Sequence, residues 1–154
     1  MKPANAIATL LPIATFCLSV AVGLIACLQW RVARNKLRLD LFDRRWQIYA
    51  ATSKFVDAIN NDPENVGSYM NDFNAGTSNA EFLFDSNVVN YIKEVRRRAV
   101  DMRTAHTLYQ TERDGEQRTR NIEKFEADRL WLIEQATAMT KTFAPYLGFA
   151  NIKA

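Results

Sequence analysis

The feature that most constrains this chain is a long uncharged segment at its N-terminal end. No Asp, Glu, Lys or Arg occurs in residues 3–30, whereas all 17 acidic residues lie at Arg31 or beyond. Residues 6–28 are almost entirely apolar, and as an α-helix rising about 1.5 Å per residue they would extend over about 35 Å. Because the hydrocarbon core of a bilayer is about 30 Å thick, the segment predicts a single transmembrane helix.

The residues that flank the apolar segment predict its orientation. Trp30 lies where an aromatic anchor is favoured at the membrane interface, and Lys2 is the only charged side chain on the other side. Four basic residues follow Trp30: Arg31, Arg34, Lys36 and Arg38. The positive-inside rule therefore puts the N-terminus outside and the rest of the chain in the cytoplasm. We expect a transmembrane anchor at residues 1–30, basic side chains in contact with anionic lipid headgroups, and a cytoplasmic domain at residues 31–154.

A second interpretation of the apolar segment remains open. Leu24-Ile25-Ala26-Cys27 resembles the lipobox of bacterial lipoproteins, in which the cysteine is lipidated and the body of the protein lies outside the cytoplasm. Against lipidation, a basic helical pattern follows Cys27 directly, without a flexible tether. Against a cleaved secretory signal, the apolar segment is longer than the roughly 7 to 15 apolar residues that such a signal contains. The uncleaved span is therefore the leading interpretation, and the lipoprotein is the alternative.

Small side chains recur at every fourth position of the predicted span, at Thr15, Ser19, Gly23 and Cys27. This spacing puts them on one face of a helix, where small residues allow two helix backbones to approach closely. The pattern indicates a possible helix-association face.

The first part of the body has helical periodicity. Two adjacent stripes of apolar residues predict one helix over residues 31–60, continuous with the span: Leu37, Leu41, Ile48, Phe55 and Ile59, and Phe42, Trp46, Tyr49 and Val56. Asp62 and Pro63 are typical of the start of a new helix, which we expect to reach about Asn74. Residues 75–79 then predict a break, followed by a short apolar turn at residues 80–84.

Two further long helices complete the prediction. After a cap at Asp85 or Ser86, a seam predicts the second long helix: Val88, Ile92, Val95, Ala99, Met102, His106 and Tyr109. After a turn at Asp114 and Gly115, another seam predicts a helix over residues 116–143: Ile122, Phe125, Arg129, Leu132, Ala136, Met139 and Phe143. The fold class is therefore all-α, with three long helices and one or two short ones in an antiparallel bundle. The apolar residues after Pro145 are expected to fold back on that bundle.

Residues that could support catalysis are few. His106 is the only histidine, and both cysteines, Cys17 and Cys27, lie inside the apolar segment. Zinc ligation by histidine and cysteine in the body is excluded by these counts. Glycine-rich phosphate loops and a Gly-x-Ser-x-Gly motif do not occur. We therefore predict no catalytic residue, no metal site and no cofactor.

A basic cluster at residues 93–103 is the remaining candidate for binding. Lys93, Arg96, Arg97 and Arg103 could contact an anion, although consecutive arginines on a helix point in different directions. The preferred interpretation is a solvated helix face that pairs with Glu94 and Asp101. Since no exposed aromatic residue is interleaved with the cluster, nucleic acid is not an expected partner.

The segment Asn35-Lys36-Leu37-Arg38-Leu39-Asp40-Leu41-Phe42-Asp43-Arg44-Arg45 follows the apolar run directly. It resembles a pattern in a largely uncharacterised group of small bacterial membrane proteins with one N-terminal span, and residues 80–84 and 143–147 are also similar to that group. The resemblance implies a bacterial inner-membrane protein with a cytoplasmic helical domain, and it supplies no catalytic residue.

The expected function is a membrane-tethered helical interaction or scaffold module without enzymatic activity. Its expected partners are the bilayer and either further copies of the chain or a helical protein. The alternative is a self-assembling effector that acts on the membrane, in stress or phage defence. A lipoprotein with an extracytoplasmic bundle is the minor alternative.

Overall fold

A computed structural model describes the backbone of residues 3–148 and the side chains of residues 15, 16 and 18–148. All its regular elements are helical: α1 (Pro3–Asn61), a 3₁₀ turn (Pro63–Asn65), α2 (Val66–Thr77), α3 (Ala80–Leu83), α4 (Ser86–Thr111) and α5 (Glu116–Leu147). Three of the helices are long and two are short. The predicted all-α bundle is therefore confirmed for the described residues.

The chain divides into two compact units, Met1–Asp40 and Leu41–Ala154. A search of the described residues finds no helix that is both long enough and apolar enough to cross a membrane. This finding does not support the transmembrane helix predicted at residues 6–28. The side chains of residues 6–14 and of Cys17, which belong to that prediction, lie outside the described set.

The second unit contains the hydrophobic core. Helix α1 contributes Ile48, Phe55, Val56 and Ile59, each at most 3% exposed, and the Phe55 ring stacks on Phe73 of α2 with 4.2 Å between centroids. The other helices bury a larger set, in chain order Val66, Met70, Ala80, Phe84, Val88, Ile92, Val95, Ala99, Met102, Ala105, Phe125, Leu132, Met139 and Phe143. The apolar periodicity of the sequence is thus satisfied by packing between helices.

Part of the predicted apolar face of α1 is not in this core. Leu37 is 71% exposed, Leu41 38% and Trp46 49%, so these members of the predicted apolar stripes lie outside the core. Ile48 is the first side chain of α1 that is fully buried in the described part of the chain. The sequence pattern indicates which face of a helix is apolar, but it does not show where neighbouring helices begin to cover that face.

The break predicted at residues 75–79 is also placed wrongly, because α2 continues to Thr77. A Cβ atom built on Gly76 would lie 2.6 Å from the Cβ of Ala51 on α1. Because Gly76 has no side chain, α2 can pack closely against α1 at this position. This packing outweighs the low helix propensity of glycine, which is about 1 kcal/mol less favourable than that of alanine, and α2 continues past Gly76.

Helix α5 differs from the prediction in its buried face and in its end. The side chains turned to the interior are Asn121, Phe125, Asp128, Leu132, Gln135, Met139 and Phe143, instead of a seam that contains Ile122, Arg129 and Ala136. The helix also runs through Pro145 to Leu147. Tyr146 explains this extension, because its ring packs edge-on against Phe84, and a further turn of helix is needed to bring it there.

The predicted starts of α2 and α4 have different outcomes. Asp85 caps α4, because its Oδ1 accepts hydrogen bonds from the amides of Asn87 at 3.0 Å and Val88 at 3.3 Å. Asp62 makes no side-chain cap. Its Oδ2 instead accepts hydrogen bonds from the side-chain amide of Asn65 at 2.8 Å and from the Tyr69 hydroxyl at 3.0 Å. These hydrogen bonds hold the pKa of Asp62 below its usual value.

Candidate functional site

The residues predicted to lie at a membrane interface form an exposed, aromatic and basic segment of α1. Trp30 is 63% exposed, and the guanidinium of Arg34 lies 5.4 Å from the centre of its ring. The two residues are four positions apart, so they lie on one face of the helix and can form a cation–π pair. Arg31 and Lys36 are exposed and Arg38 is half-buried.

The small-residue face at Thr15, Ser19, Gly23 and Cys27 is accessible. The Ser19 hydroxyl donates to the backbone carbonyl of Thr15 at 2.8 Å, and a Cβ built on Gly23 meets no atom within 4 Å. Cys27 is a free, exposed thiol. The described side chains leave this face open to a neighbouring helix.

The basic residues of α4 diverge from one another. Lys93 pairs with Glu81 of α3 at 2.7 Å, and Arg96 extends to Thr77, with 3.3 Å between Nη2 and Oγ1. The guanidinium of Arg103 lies 3.0 Å from a Cβ built on Gly67, so it covers the start of α2.

Arg97 turns away from these residues. It forms ion pairs with Glu94 at 2.5 Å and Asp101 at 3.0 Å, and the pair with Glu94 lowers the pKa of that carboxyl to about 2. Of the four predicted anion contacts, Lys93 and Arg96 border one cavity of about 90 Å³, and Arg97 and Arg103 do not line it.

A buried ion pair that the sequence reading did not identify joins α4 to α5. Asp128 is 3% exposed, and its Oδ1 accepts a hydrogen bond from Nη1 of Arg98 at 2.8 Å. Arg98 also bonds Glu94 at 3.1 Å and lies 5.2 Å over the Trp131 ring. The sequence does contain a signal for this buried polar face. Asn121, Asp128 and Gln135 are seven residues apart, and seven residues return a helix to nearly the same face.

Arg45 is a second residue whose role the sequence did not reveal. Its Nε donates to the carbonyl of Leu83 at 3.0 Å, and its guanidinium lies 5.8 Å from the centre of the Phe84 ring and 5.6 Å from that of Tyr146. The neighbouring Tyr146 hydroxyl holds the pKa of the Asp85 carboxyl below its usual value. Arg45 thus ties α1 to the α3–α4 junction and to the end of α5.

His106 has a packing environment. Its ring lies edge-on to Tyr109, with centroids 5.1 Å apart, and 5.5 Å from Phe125 of α5. A ring nitrogen contacts the Gln110 amide at 3.3 Å. In the described part of the chain, no three His, Cys, Asp or Glu residues are grouped so that they could hold a metal ion.

Two adjoining cavities lie between α1 and the α2–α3 segment. The first has a volume of about 300 Å³ and is mainly apolar, with Ala51, Lys54, Phe55, Ala58, Tyr69, Asp72, Phe73 and Ala75 in its wall. The second has a volume of about 460 Å³ and is more polar, with Arg44, Gln47, Ile48, Ala75, Gly76, Asn79 and Leu83 in its wall. Ala75 borders both cavities, and we call the two together the α1–α2 furrow.

No known protein family, curated protein or solved structure matches the chain. The resemblance of residues 35–45 to small bacterial membrane proteins therefore remains an expectation from sequence.

Proposed function

We propose that the chain is a membrane-tethered helical interaction module. In this proposal residues 6–28 of α1 are the transmembrane anchor, and the bundle is a cytoplasmic domain that binds a second copy or a helical partner.

The observation that carries the proposal is the exposure of apolar side chains over most of the surface of α1 at residues 20–28. Val20, Val22, Leu24, Ile25 and Leu28 are between 47% and 62% exposed. Since each residue advances the helix by about 100°, these positions cover more than half of its circumference. A helix that is apolar on all sides is typical of a lipid-embedded or fully enclosed segment. Lipid tails would cover such a surface without a dedicated protein partner.

The adjacent residues support the cytoplasmic orientation. The Trp30–Arg34 pair combines an apolar ring with a cation, which suits the headgroup region, and the other basic side chains can each add about 1 kcal/mol of attraction to an anionic leaflet.

The interaction role is supported by the way the bundle uses its polar side chains. His106, Arg98 and Arg45 each take part in packing or ion pairs between helices. At the same time the bundle presents Phe82 of α3, which is 85% exposed, and Leu130 of α5, which is 59% exposed. Phe82 is the most exposed large apolar side chain in the part of the chain that the structure describes, so it is the position at which we expect a partner to make contact.

The anchor is tested by carbonate extraction of membranes and by reporter fusions at Ala154, each with a Cys27→Ser control. We expect the full chain to stay in the membrane pellet, the reporter to be cytoplasmic, and the substitution to change neither result. Release by carbonate would contradict the anchor. A periplasmic reporter that depends on Cys27 would favour the lipoprotein alternative.

The interaction role needs a separate test, in which a photo-crosslinking amino acid replaces Phe82 in the full chain in cells. We expect a crosslinked product at the mass of a dimer or of a complex with one partner. The same amino acid at Arg113, which is exposed at the α4–α5 turn, is the control. A chain that remains uncrosslinked at position 82 and monomeric in mild detergent would contradict the interaction role.

A further inference from the structure

The α1–α2 furrow is lined along a single face of α1. Arg44, Gln47, Ala51, Lys54 and Ala58 lie three or four residues apart and face the two cavities in this order. From Arg44 to Ala58 the helix rises roughly 21 Å, so the furrow is long and narrow. Between its two ends Gly76 packs directly on Ala51, because a Cβ built on Gly76 would lie 2.6 Å from the Cβ of Ala51, and the exposed Ala75 lies beside this contact.

The two ends of the furrow differ in chemistry. At the apolar end the stacked rings of Phe55 and Phe73 form the floor, and both side chains are at most 2% exposed. Lys54 and Asp72 form an ion pair across the rim at 3.6 Å, and both side chains are 79% exposed. Because this pair is neutral overall and lies at the mouth, it adds no net charge to the apolar end.

At the polar end three side chains carry donors that no partner uses. The guanidinium of Arg44 and the amides of Gln47 and Asn79 form no hydrogen bond or ion pair with any residue that the structure describes. A guanidinium matches the planar geometry of a carboxylate and can bond both of its oxygens. Two amide donors beside it add further hydrogen bonds to the same anion.

We propose that the α1–α2 furrow binds a single-chain fatty acid, with its carboxylate on Arg44, Gln47 and Asn79 and its acyl chain over Phe55 and Phe73. The combined cavities are within the range of about 300 to 1,000 Å³ that small-molecule sites occupy. This inference is independent of the proposed anchor, because the furrow lies entirely in the second unit.

The test uses the full chain with carbon-13 in its alanine methyl groups, reconstituted in nanodiscs of zwitterionic lipid and titrated with dodecanoate. Ala51, Ala58 and Ala75 report on the furrow, and the exposed Ala127 and Ala136 of α5 report on nonspecific contact. We expect saturable shifts at the three furrow alanines only. Equal shifts at Ala127 and Ala136, or no saturation, would overturn the proposal.

Two substitutions test the two ends of the furrow. Arg44→Gln should weaken dodecanoate binding about tenfold, which corresponds to about 1.4 kcal/mol for a lost charge-assisted hydrogen bond. Arg113→Gln, which changes the charge equally at another exposed site, should have no effect. Ala75→Leu should block the passage between the cavities and abolish the shifts at Ala58, whereas Ala127→Leu should not.

Two other ligands test the chemistry of the head and the number of chains. Dodecanol, which has the same chain without the carboxylate, should bind wild type about as weakly as dodecanoate binds Arg44→Gln. Equal affinity for the alcohol and the acid would overturn the assignment of the carboxylate. Nanodiscs that contain phosphatidylglycerol should leave the dodecanoate shifts unchanged, and loss of those shifts would show that a two-chain lipid occupies the furrow instead.

Discussion

The buried pair of Arg98 and Asp128 leads to an asymmetric prediction about stability. Asp128 is 3% exposed, whereas the Arg98 side chain is 31% exposed and has a second partner in Glu94. Removing the arginine therefore leaves an uncompensated carboxylate inside the bundle. Removing the carboxylate leaves an arginine that still has an ion pair and access to water.

The expected magnitudes follow from this difference. Arg98→Met should lower the free energy of unfolding by about 3–5 kcal/mol, the usual cost of stranding one member of a buried pair. The arginine also loses its position over Trp131, which adds a smaller cation–π term. Asp128→Asn keeps the shape and a hydrogen-bond acceptor, so it should cost only about 1–2 kcal/mol.

A double substitution separates the pair from the packing around it. In Arg98→Met/Asp128→Leu neither charge remains, and two apolar side chains can pack between α4 and α5. Replacing a whole buried pair in this way is often neutral or stabilising, so the double variant should be more stable than Arg98→Met alone. Arg113→Met serves as the control for loss of an exposed arginine.

The assay is urea unfolding of the full chain in a neutral detergent. Unfolding is monitored by the circular dichroism signal of the helices and by the fluorescence of Trp131, in protein whose other two tryptophans are replaced by phenylalanine. Unfolding free energies of domains are about 5–15 kcal/mol, so a loss of about 3 kcal/mol is readily measured. An Asp128→Asn variant as unstable as Arg98→Met, or a double variant with no recovery, would refute the reasoning.

Four further outcomes are expected from thermal or urea unfolding of the full chain. Gly76→Ala should cost about 1–3 kcal/mol because its Cβ would lie 2.6 Å from that of Ala51, and Ala51→Gly should restore much of the loss; additive losses would contradict this. Phe143→Ala, at a fully buried site, should cost about 3–5 kcal/mol, and less than about 1 kcal/mol would contradict its place in the core. Asp85→Ala should cost about 0.5–2 kcal/mol through loss of the α4 cap, whereas Asp85→Asn should cost less. Since the pKa of Glu94 is lowered from 4.5 to about 2, its contribution to the free energy of unfolding is complete above about pH 4.5 and is lost as the pH falls toward 2. Glu94→Gln should therefore flatten the dependence of stability on pH in this range, and an unchanged dependence would refute the stabilising role of the Glu94 carboxylate.

The helical fold was predictable from sequence because periodicity and breakers agree over most of the body. Asn61 and Asp62 mark the end of α1, and Asp85 marks the start of α4, where a side chain indeed caps the first turn. Five of the seven seam positions predicted on α4 are fully buried, and the other two, His106 and Tyr109, are half-buried. These features depend on local backbone chemistry and on one apolar stripe, both of which a single sequence contains.

Positions that depend on a specific partner were not predictable in the same way. On α5 the apolar residues Ile122 and Ala136 lie one position after the buried Asn121 and Gln135. A one-residue shift turns a helix by about 100°, so a reading that prefers apolar side chains selects the wrong face wherever the interior contains polar groups. Asn121 is acceptable there because its amide donates to Glu112 at 2.8 Å, a partner nine residues earlier across the turn.

The two consecutive arginines of the Asp43-Arg44-Arg45 segment show the same limit for the candidate site. In sequence they are equivalent, and either could be a solvated surface residue. On α1, however, adjacent side chains diverge by about 100°, so Arg45 is directed to Leu83 and two aromatic rings, and Arg44 borders the polar end of the furrow. Arg45 donates a hydrogen bond to Leu83 within the bundle, whereas Arg44 has unused donors beside Gln47. A structural and a ligand-binding role can thus lie at adjacent positions, and only the surrounding helices distinguish them.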